Sequence, residues 1–393
     1  WFERTASASG MGSRRVGGVR ADPVGRGELR FGFPRCPRSG LSAVCDAMVE
    51  AARSGGFATV SVWSVSADGP SGLGPRLVAR GFEYGWQAHW MGLRLGAGQF
   101  AASAPSGVEI VWDDSVGGVP GLPYGDDADA EILRIARQGD PDSVWCCTAV
   151  VRGNVVGRAM GFRSSRCPGF LGVYSMGVVP DQRRRGVGTA LIAGLASRAV
   201  GAGCTGLVLN SAADRFYSSF GFESLGRGQT WWMHRAQLES PGLDDNGVAL
   251  VEAVGDGDWG RLAQFENAPD DLFHVKLSGG MTLPGLALRC RRWDVFDWLE
   301  ERGVVVDLLE AWKRGGRRRA AMLLGRDPEA RDRRGGPHAA PPLHRAVAAG
   351  DRTLVEWLLA NGVDRGALDG QFGGTAARWA MHTGHPELIP LLS

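Results

Sequence analysis

An α+β fold over about the first 240 residues, followed by an all-α region built from repeats, is the architecture predicted by this 393-residue sequence. Three observations predict it. Helix-period and strand-period runs alternate up to about residue 240. Within that stretch one order of elements occurs twice: turn, helix, strand, Gly-Phe corner, Trp-Met strand. In the last third, strand-like runs vanish and a helix–turn–helix pattern recurs, with Arg378 standing 34 residues after His344.

Length and composition bound the reading. A chain of this length exceeds one ordinary core, so two or three domains are expected. Small-residue stretches at 96–107 and turn formers at 239–247 mark linkers, giving segments 1–103, 104–240 and 241–393. The second linker is short of apolar anchors, so few contacts are expected to cross it, and a chain ending near Glu239 is expected to fold. The hydrophobic fraction is 44% and no run approaches the roughly 20 apolar residues of a membrane span. No secretory signal pattern opens the chain, so a cytoplasmic protein with no membrane partner is expected. A net charge of +2 argues against a nucleic-acid partner. Seven cysteines lack metal spacing, so no metal is expected.

The elements follow in order. Leu41, Val44, Cys45, Met48, Val49 and Ala52 mark one helical face, followed by Gly56 and a strand from Ala58 to Trp63. Leu191, Leu195, Ala196 and Ala199 mark a second helix, followed by Gly203 and a strand from Gly206 to Leu209. Arg80-Gly81-Phe82-Glu83 before His89-Trp90-Met91 echoes Phe220-Gly221-Phe222-Glu223 before Trp231-Trp232-Met233. Two copies of one αβ half are the simplest source of this parallel. An unrelated first domain with a chance echo is the alternative.

The most informative run is Met176-Gly177-Val178-Val179-Pro180-Asp181-Gln182-Arg183-Arg184-Arg185-Gly186-Val187-Gly188-Thr189. A strand from Phe170 to Val179 leads through a glycine-containing loop into a helix from about Thr189. Backbone N–H groups at a helix start, with glycines that let an anion approach, suit a pyrophosphate, and the arginines supply compensating charge. A solvated Arg-rich turn is the bland reading of the loop taken alone.

This run resembles the R-x-x-G-x-G/A acyl-CoA loop of the GNAT acetyltransferase superfamily, preceded by Val-x-Pro. Asn210, and Phe216 to Phe222 with Tyr217, are similar to the family's Asn and its Tyr-x-x-x-Gly-Phe corner. The resemblance covers segment 104–240 and implies a mixed, mostly antiparallel sheet flanked by helices. It implies acetyl-CoA as co-substrate and an amine of a small molecule or protein as acceptor. Met176, Gly177 and Val178 would bond the pantetheine arm, Arg183 to Thr189 would hold the pyrophosphate, and Asn210 would bond the arm from across the cleft. Tyr217 would protonate the departing thiolate; a packed aromatic is the other reading of Tyr217. Many members place an acid on the central strands, but Phe170 to Val179 has none, and Asp181 and Glu223 are the nearest. No general base is assigned. Tyr174 and Ser175 are candidates for holding a water.

Segment 1–103 reads as a degenerate GNAT-like half. With Gly40 laid over Gly188, Gly186 becomes Arg38, Arg185 becomes Pro37, and Tyr217 becomes Leu77. Such a copy is not expected to bind CoA. A cleft between the copies, near Trp63, Trp86 and Trp90, is a natural acceptor site. Segment 241–393 resembles ankyrin repeats, clearly from Pro341 to Leu392, with a short or irregular unit near Leu309, Leu323 and Leu324. His344 then serves the repeat's turn, and the helical layer offers a surface for a protein partner. A CoA-binding scaffold that recruits a partner through these repeats is the alternative to an enzyme.

Overall fold

The computed structural model describes residues 14–24, 27–32, 34–66, 71–96, 107–112, 119, 121–122, 137, 140–164, 167–211, 214–335 and 339–392. The chain divides into two compact units, Trp1–Pro70 with Gly85–Arg235, and Ser71–Tyr84 with Ala236–Ser393. In chain order the strands are β1 (Arg14–Val16), β2 (Val19–Val24), β3 (Glu28–Gly32), β4 (Thr59–Trp63), β5 (Glu83–Tyr84), β6 (His89–Arg94), β7 (Glu109–Trp112), β8 (Val144–Val151), β9 (Asn154–Arg163), β10 (Phe170–Val178), β11 (Gly206–Asn210), β12 (Glu223–Arg227) and β13 (Thr230–His234).

The first unit holds two mixed sheets. One runs β1-β2-β3-β4-β13, the other β12-β6-β11-β10-β9-β8-β7. β3 pairs parallel with β4 and β10 parallel with β11, while the flanking ladders are antiparallel. The two sheets therefore repeat one topology, and each is completed by a strand from the other half. β6 of the first half pairs with β11, and β13 of the second half pairs with β4. The break expected at 103/104 thus does not separate compact bodies. Gly96 to Gly107 reads as a linker by composition, but composition is blind to strand exchange.

Helix α1 (Leu41–Ser54) buries Leu41, Val44, Cys45, Met48, Val49 and Ala52, the face its sequence period predicts. Beneath it lie Leu29, Phe31, Val60 and Val62, alternate residues of β3 and β4 that are fully buried. The next labelled helices are α2 (Leu73–Ala79), α3 (Val187–Gly201) and α4 (Asp214–Ser218). α3 buries Leu191, Ile192, Leu195, Ala196 and Ala199 on Leu171, Val173, Leu207 and Leu209.

The burial pattern of α1 and α3 superposes Val44 on Leu191 and Ala52 on Ala199, one residue away from the loop alignment expected above. Gly186 then meets Ser39, Arg185 meets Arg38 and Gly188 meets Leu41. The strand echo also shifts. Thr230 sits opposite Trp63 as Trp90 sits opposite Asn210, so Thr230 and Trp90 are equivalent, whereas the Trp-Met letters place Trp232 there. A slip of two residues keeps the same face outward, which is why the letters mislead.

The second unit contains α2, α5 (Arg235–Glu239), α6 (Asp245–Asp256), α7 (Trp259–Leu262), α8 (Leu283–Arg289), α9 (Trp293–Glu301), α10 (Leu308–Arg326), α11 (Pro342–Ala348), α12 (Arg352–Ala360), α13 (Ala376–Thr383) and α14 (Ile389–Leu392). α2 packs on α6, joining Val78 and Ala79 to Leu250, Val251, Ala253 and Val254. Arg76 bonds Asp256 at 2.8 and 3.0 Å, and Arg80 meets Glu252 at 2.8 Å, all four nearly water-free. The expectation that few contacts cross 239–247 is overturned here, because residues 71–84 from the first half belong to the C-terminal core. α2 is short, and its Val78 and Ala79 are covered by α6.

Helix pairs α8/α9 and α11/α12, and the run α13/α14, form the rest. Thr282, Asp351 and Thr375 each cap a helix by accepting from the N–H three residues on. His344, fully buried, bonds the Gly374 carbonyl at 3.0 Å and braces the next turn. Between α9 and α11 stands one long helix, α10, interrupted at Gly315–Gly316.

Candidate functional site

The site grows from a mismatch between β10 and β11. Their parallel ladder holds Phe170↔Gly206, Leu171↔Leu207 and Gly172↔Val208, then stops, although β10 continues to Val178 and β11 to Asn210. On the other side of β10 the register with β9 shifts between Tyr174 and Gly177, and Ser175 adopts a φ of 44°. An irregularity of this kind bends a strand, and here it turns β10 away from β11. Gly157 on β9 permits it, since a Cβ there would meet the Gly177 carbonyl at 3.1 Å. The result is a slot with backbone on both walls, Met176 to Val178 on one side and Asn210 on the other.

The loop closes one end of the slot. Pro180–Gln182 forms a single 3-10 turn, Arg184 and Gly186 take left-handed conformations at φ 61° and 81°, and α3 begins at Val187. No side chain caps α3, and helix geometry leaves the N–H groups of Val187, Gly188 and Thr189 without intrahelical acceptors. Val187 is itself core, at 1% exposure, so only its backbone can serve a ligand. Arg183, Arg184 and Arg185 are exposed, and the Arg183 Nε–H donates to the Val178 carbonyl at 3.0 Å, tying the loop to β10.

Strand, loop and corner converge. A Cβ on Gly188 would meet Phe216 at 3.0 Å and Met176 at 3.6 Å, and the Tyr217 hydroxyl lies 3.9 Å from the Met176 sulfur. The Tyr217 ring is held edge-on by Phe216 and Phe222, at 5.0 and 5.5 Å. Met176, Gly188 and Tyr217 are therefore neighbours. Asn210 closes β11 opposite Trp90.

Burial pushes the Tyr174 phenol up to about 12, with the Arg30 guanidinium pulling the other way. Tyr174 stays protonated near neutrality and is no base. Among the described residues no group of His, Cys, Asp and Glu could hold a metal, and no helix is long and apolar enough to cross a membrane.

The first half differs where it matters. β3 and β4 stay paired through Gly32↔Trp63, the equivalents of Tyr174 and Asn210, so no slot opens. Leu41, fully buried, stands where Gly188 does. The 73–82 stretch repeats the corner's hydrogen bonding, with Phe82 N–H donating to Leu77 as Phe222 N–H donates to Tyr217, but Leu77 carries no phenol.

Residues 108–222 match the family model described as the acetyltransferase (GNAT) family. An L-2,4-diaminobutyric acid acetyltransferase of Nocardia farcinica (strain IFM 10152) is 31% identical over 161 residues, covering 37% of this chain and 74% of that relative. A GCN5-related N-acetyltransferase from Kribbella flavida shares 16% identity at a TM-score of 0.43, over 59% of this chain and 95% of that one. A tandem GNAT protein from the clavulanic acid biosynthesis pathway shares 17% identity at a TM-score of 0.42, over 55% and 78%. By its sequence match to the diaminobutyric acid enzyme and to the family model, this chain belongs to the GNAT family and is an acetyltransferase.

Proposed function

We propose that the protein transfers an acetyl group from acetyl-CoA to an amine by direct attack, at one site per chain. The observation that carries this reading is the slot where β10 and β11 diverge, with the N–H groups of α3 at one end and the Tyr217 hydroxyl beside Met176. Met176, Gly177, Val178 and Asn210 bond the pantetheine arm. Arg183, Arg184, Arg185, Gly186, Val187, Gly188 and Thr189 hold the pyrophosphate, the arginines by charge and the rest by backbone N–H groups.

The neutral amine forms the new N–C bond as the C–S bond breaks, leaving its pair on sulfur. Tyr217 gives its proton to that sulfur and regains one from the nitrogen, which sheds it on becoming an amide. A phenol of ordinary pKa about 10 is matched to a thiolate for this exchange. Tyr217→Phe is expected to retain acetyl-CoA affinity and slow turnover by roughly 10²-fold. Stopped-flow detection of CoA release checks it; an unchanged chemical step assigns Tyr217 to packing. L-2,4-diaminobutyrate, named for the Nocardia relative, is the first acceptor to assay.

The helical unit is proposed as an ankyrin-type layer that engages a protein partner. The 34-residue spacing and the His344–Gly374 brace support it. A cytoplasmic setting fits the use of acetyl-CoA.

A further inference from the structure

One face of the first sheet is polar, with Asp22 held by the Arg20 Nε–H at 2.8 and 2.9 Å. Leu29, Phe31, Val60, Val62, Trp231 and Met233 form its apolar side. Their alternates Asp22, Glu28, Arg30, Ser61, Trp63 and Trp232 share the opposite side, as the pairs Asp22↔Arg30, Arg30↔Ser61 and Ser61↔Trp232 require. A polar sheet face normally meets water. Here Asp22 is 2% exposed and Ser61 0%. Buried charge is costly, and a hydrophobic replacement is often at least as stable, so such a cluster is a candidate for recognition.

The cluster is ordered. Arg30 grips Glu28 with two bonds of 3.0 and 3.1 Å, the Ser61 hydroxyl donates to Glu28 at 2.5 Å, and Trp63 Nε1–H donates to Ser61 at 3.1 Å. Arg30 also lies 5.2 Å over the Trp63 ring. These bonds occupy three of the roughly four acceptor positions on the Glu28 carboxylate. Trp63 meets Trp86 at 5.5 Å and Trp232 at 6.3 Å, and Trp86 is 43% exposed, so the aromatics lead from solvent to the charges. Trp90, which stands opposite Asn210, donates its Nε1–H to the Ser64 carbonyl at 3.3 Å, so the Trp63 end of this face lies beside the strand end that carries Asn210.

We propose that this face of the first half is the acceptor wall of the enzyme, and that it selects an amine carrying a carboxylate: Glu28 takes the ammonium end, Arg30 the carboxylate, and the tryptophans flank the carbon chain. The proposal rests on the acetyltransferase reading above and adds the substrate class. Adjacent opposite charges complement a zwitterion, and aromatic faces favour a cation beside them. A diamino acid satisfies both charges and keeps a second amine for transfer.

The test compares L-2,4-diaminobutyrate with 1,3-diaminopropane, which lacks the carboxylate, on the full chain with saturating acetyl-CoA. Wild type is expected to favour diaminobutyrate by roughly 10- to 100-fold in kcat/KM, the scale of a lost charged hydrogen bond. Arg30→Gln is expected to bring the two within a few-fold, through KM and not kcat, and Glu28→Gln to raise KM for both. Acetyl-CoA titration by calorimetry shows that each variant is folded. Equal use of the two amines by wild type, or an unchanged preference in Arg30→Gln, overturns the proposal and leaves the acetyltransferase reading standing. If no amine is acetylated, calorimetric binding of diaminobutyrate to the CoA-loaded protein separates the two ideas: binding weakened by Arg30→Gln keeps the acceptor wall, and no binding overturns it.

Discussion

Asp256→Ala is expected to destabilise the helical unit by about 3–5 kcal/mol, the usual cost of leaving one member of a buried ion pair without its partner. Arg76 and Asp256 have side chains only 6% and 3% exposed, so solvent cannot replace the lost carboxylate. Urea unfolding followed by far-UV circular dichroism measures the loss. The double change Arg76→Met with Asp256→Leu is expected to recover most of it, because two apolar side chains of similar size bury no charge. A single-variant loss below about 1 kcal/mol would show that water reaches the pair. The same packing predicts that a chain ending at Glu239 leaves α2 without its α6 surface and becomes prone to aggregation.

Gly186→Asp is expected to abolish acetyl-CoA binding, the largest effect of any single change at the site. Gly186 sits at φ 81°, a conformation costly for a side chain, and a carboxylate there would face the pyrophosphate. Calorimetry on the wild type is expected to give one molecule bound per chain, since β3 and β4 remain closed. The converse change in the first half, Ser39→Gly, is expected to add no second site. Two molecules per chain would falsify the idea of a silent first half.

Much of this was legible in the letters. The periods of α1 and α3, the Gly186 turn and the Tyr217 corner are local features, and local chemistry is what a sequence displays. The slot itself was not legible, because it depends on where a ladder stops, which no residue at 172 or 208 announces. Nor was the strand exchange, since β6 and β13 have the same alternation whichever β4 or β11 they join. The attachment of α2 to α6 was hidden for a related reason: Arg76 and Asp256 lie 180 positions apart, and a buried pair looks like two surface charges in one dimension. Glu28 and Arg30 stand in a half whose loop has Ser39 and Leu41 at the places of Gly186 and Gly188, so its letters drew no attention to them.

The exchange of β6 and β13 also sets a timetable for synthesis. β4 is complete when Trp63 has been made, but its antiparallel neighbour at Thr230 follows roughly 170 residues later, which at ribosomal speeds is about 10 to 30 s. For that interval the nascent chain carries an open edge bearing Val60 and Val62, the kind of edge that recruits other chains. Ribosome pausing before residue 230 is therefore expected to lower the yield of folded protein, a loss incurred before the last third of the chain exists.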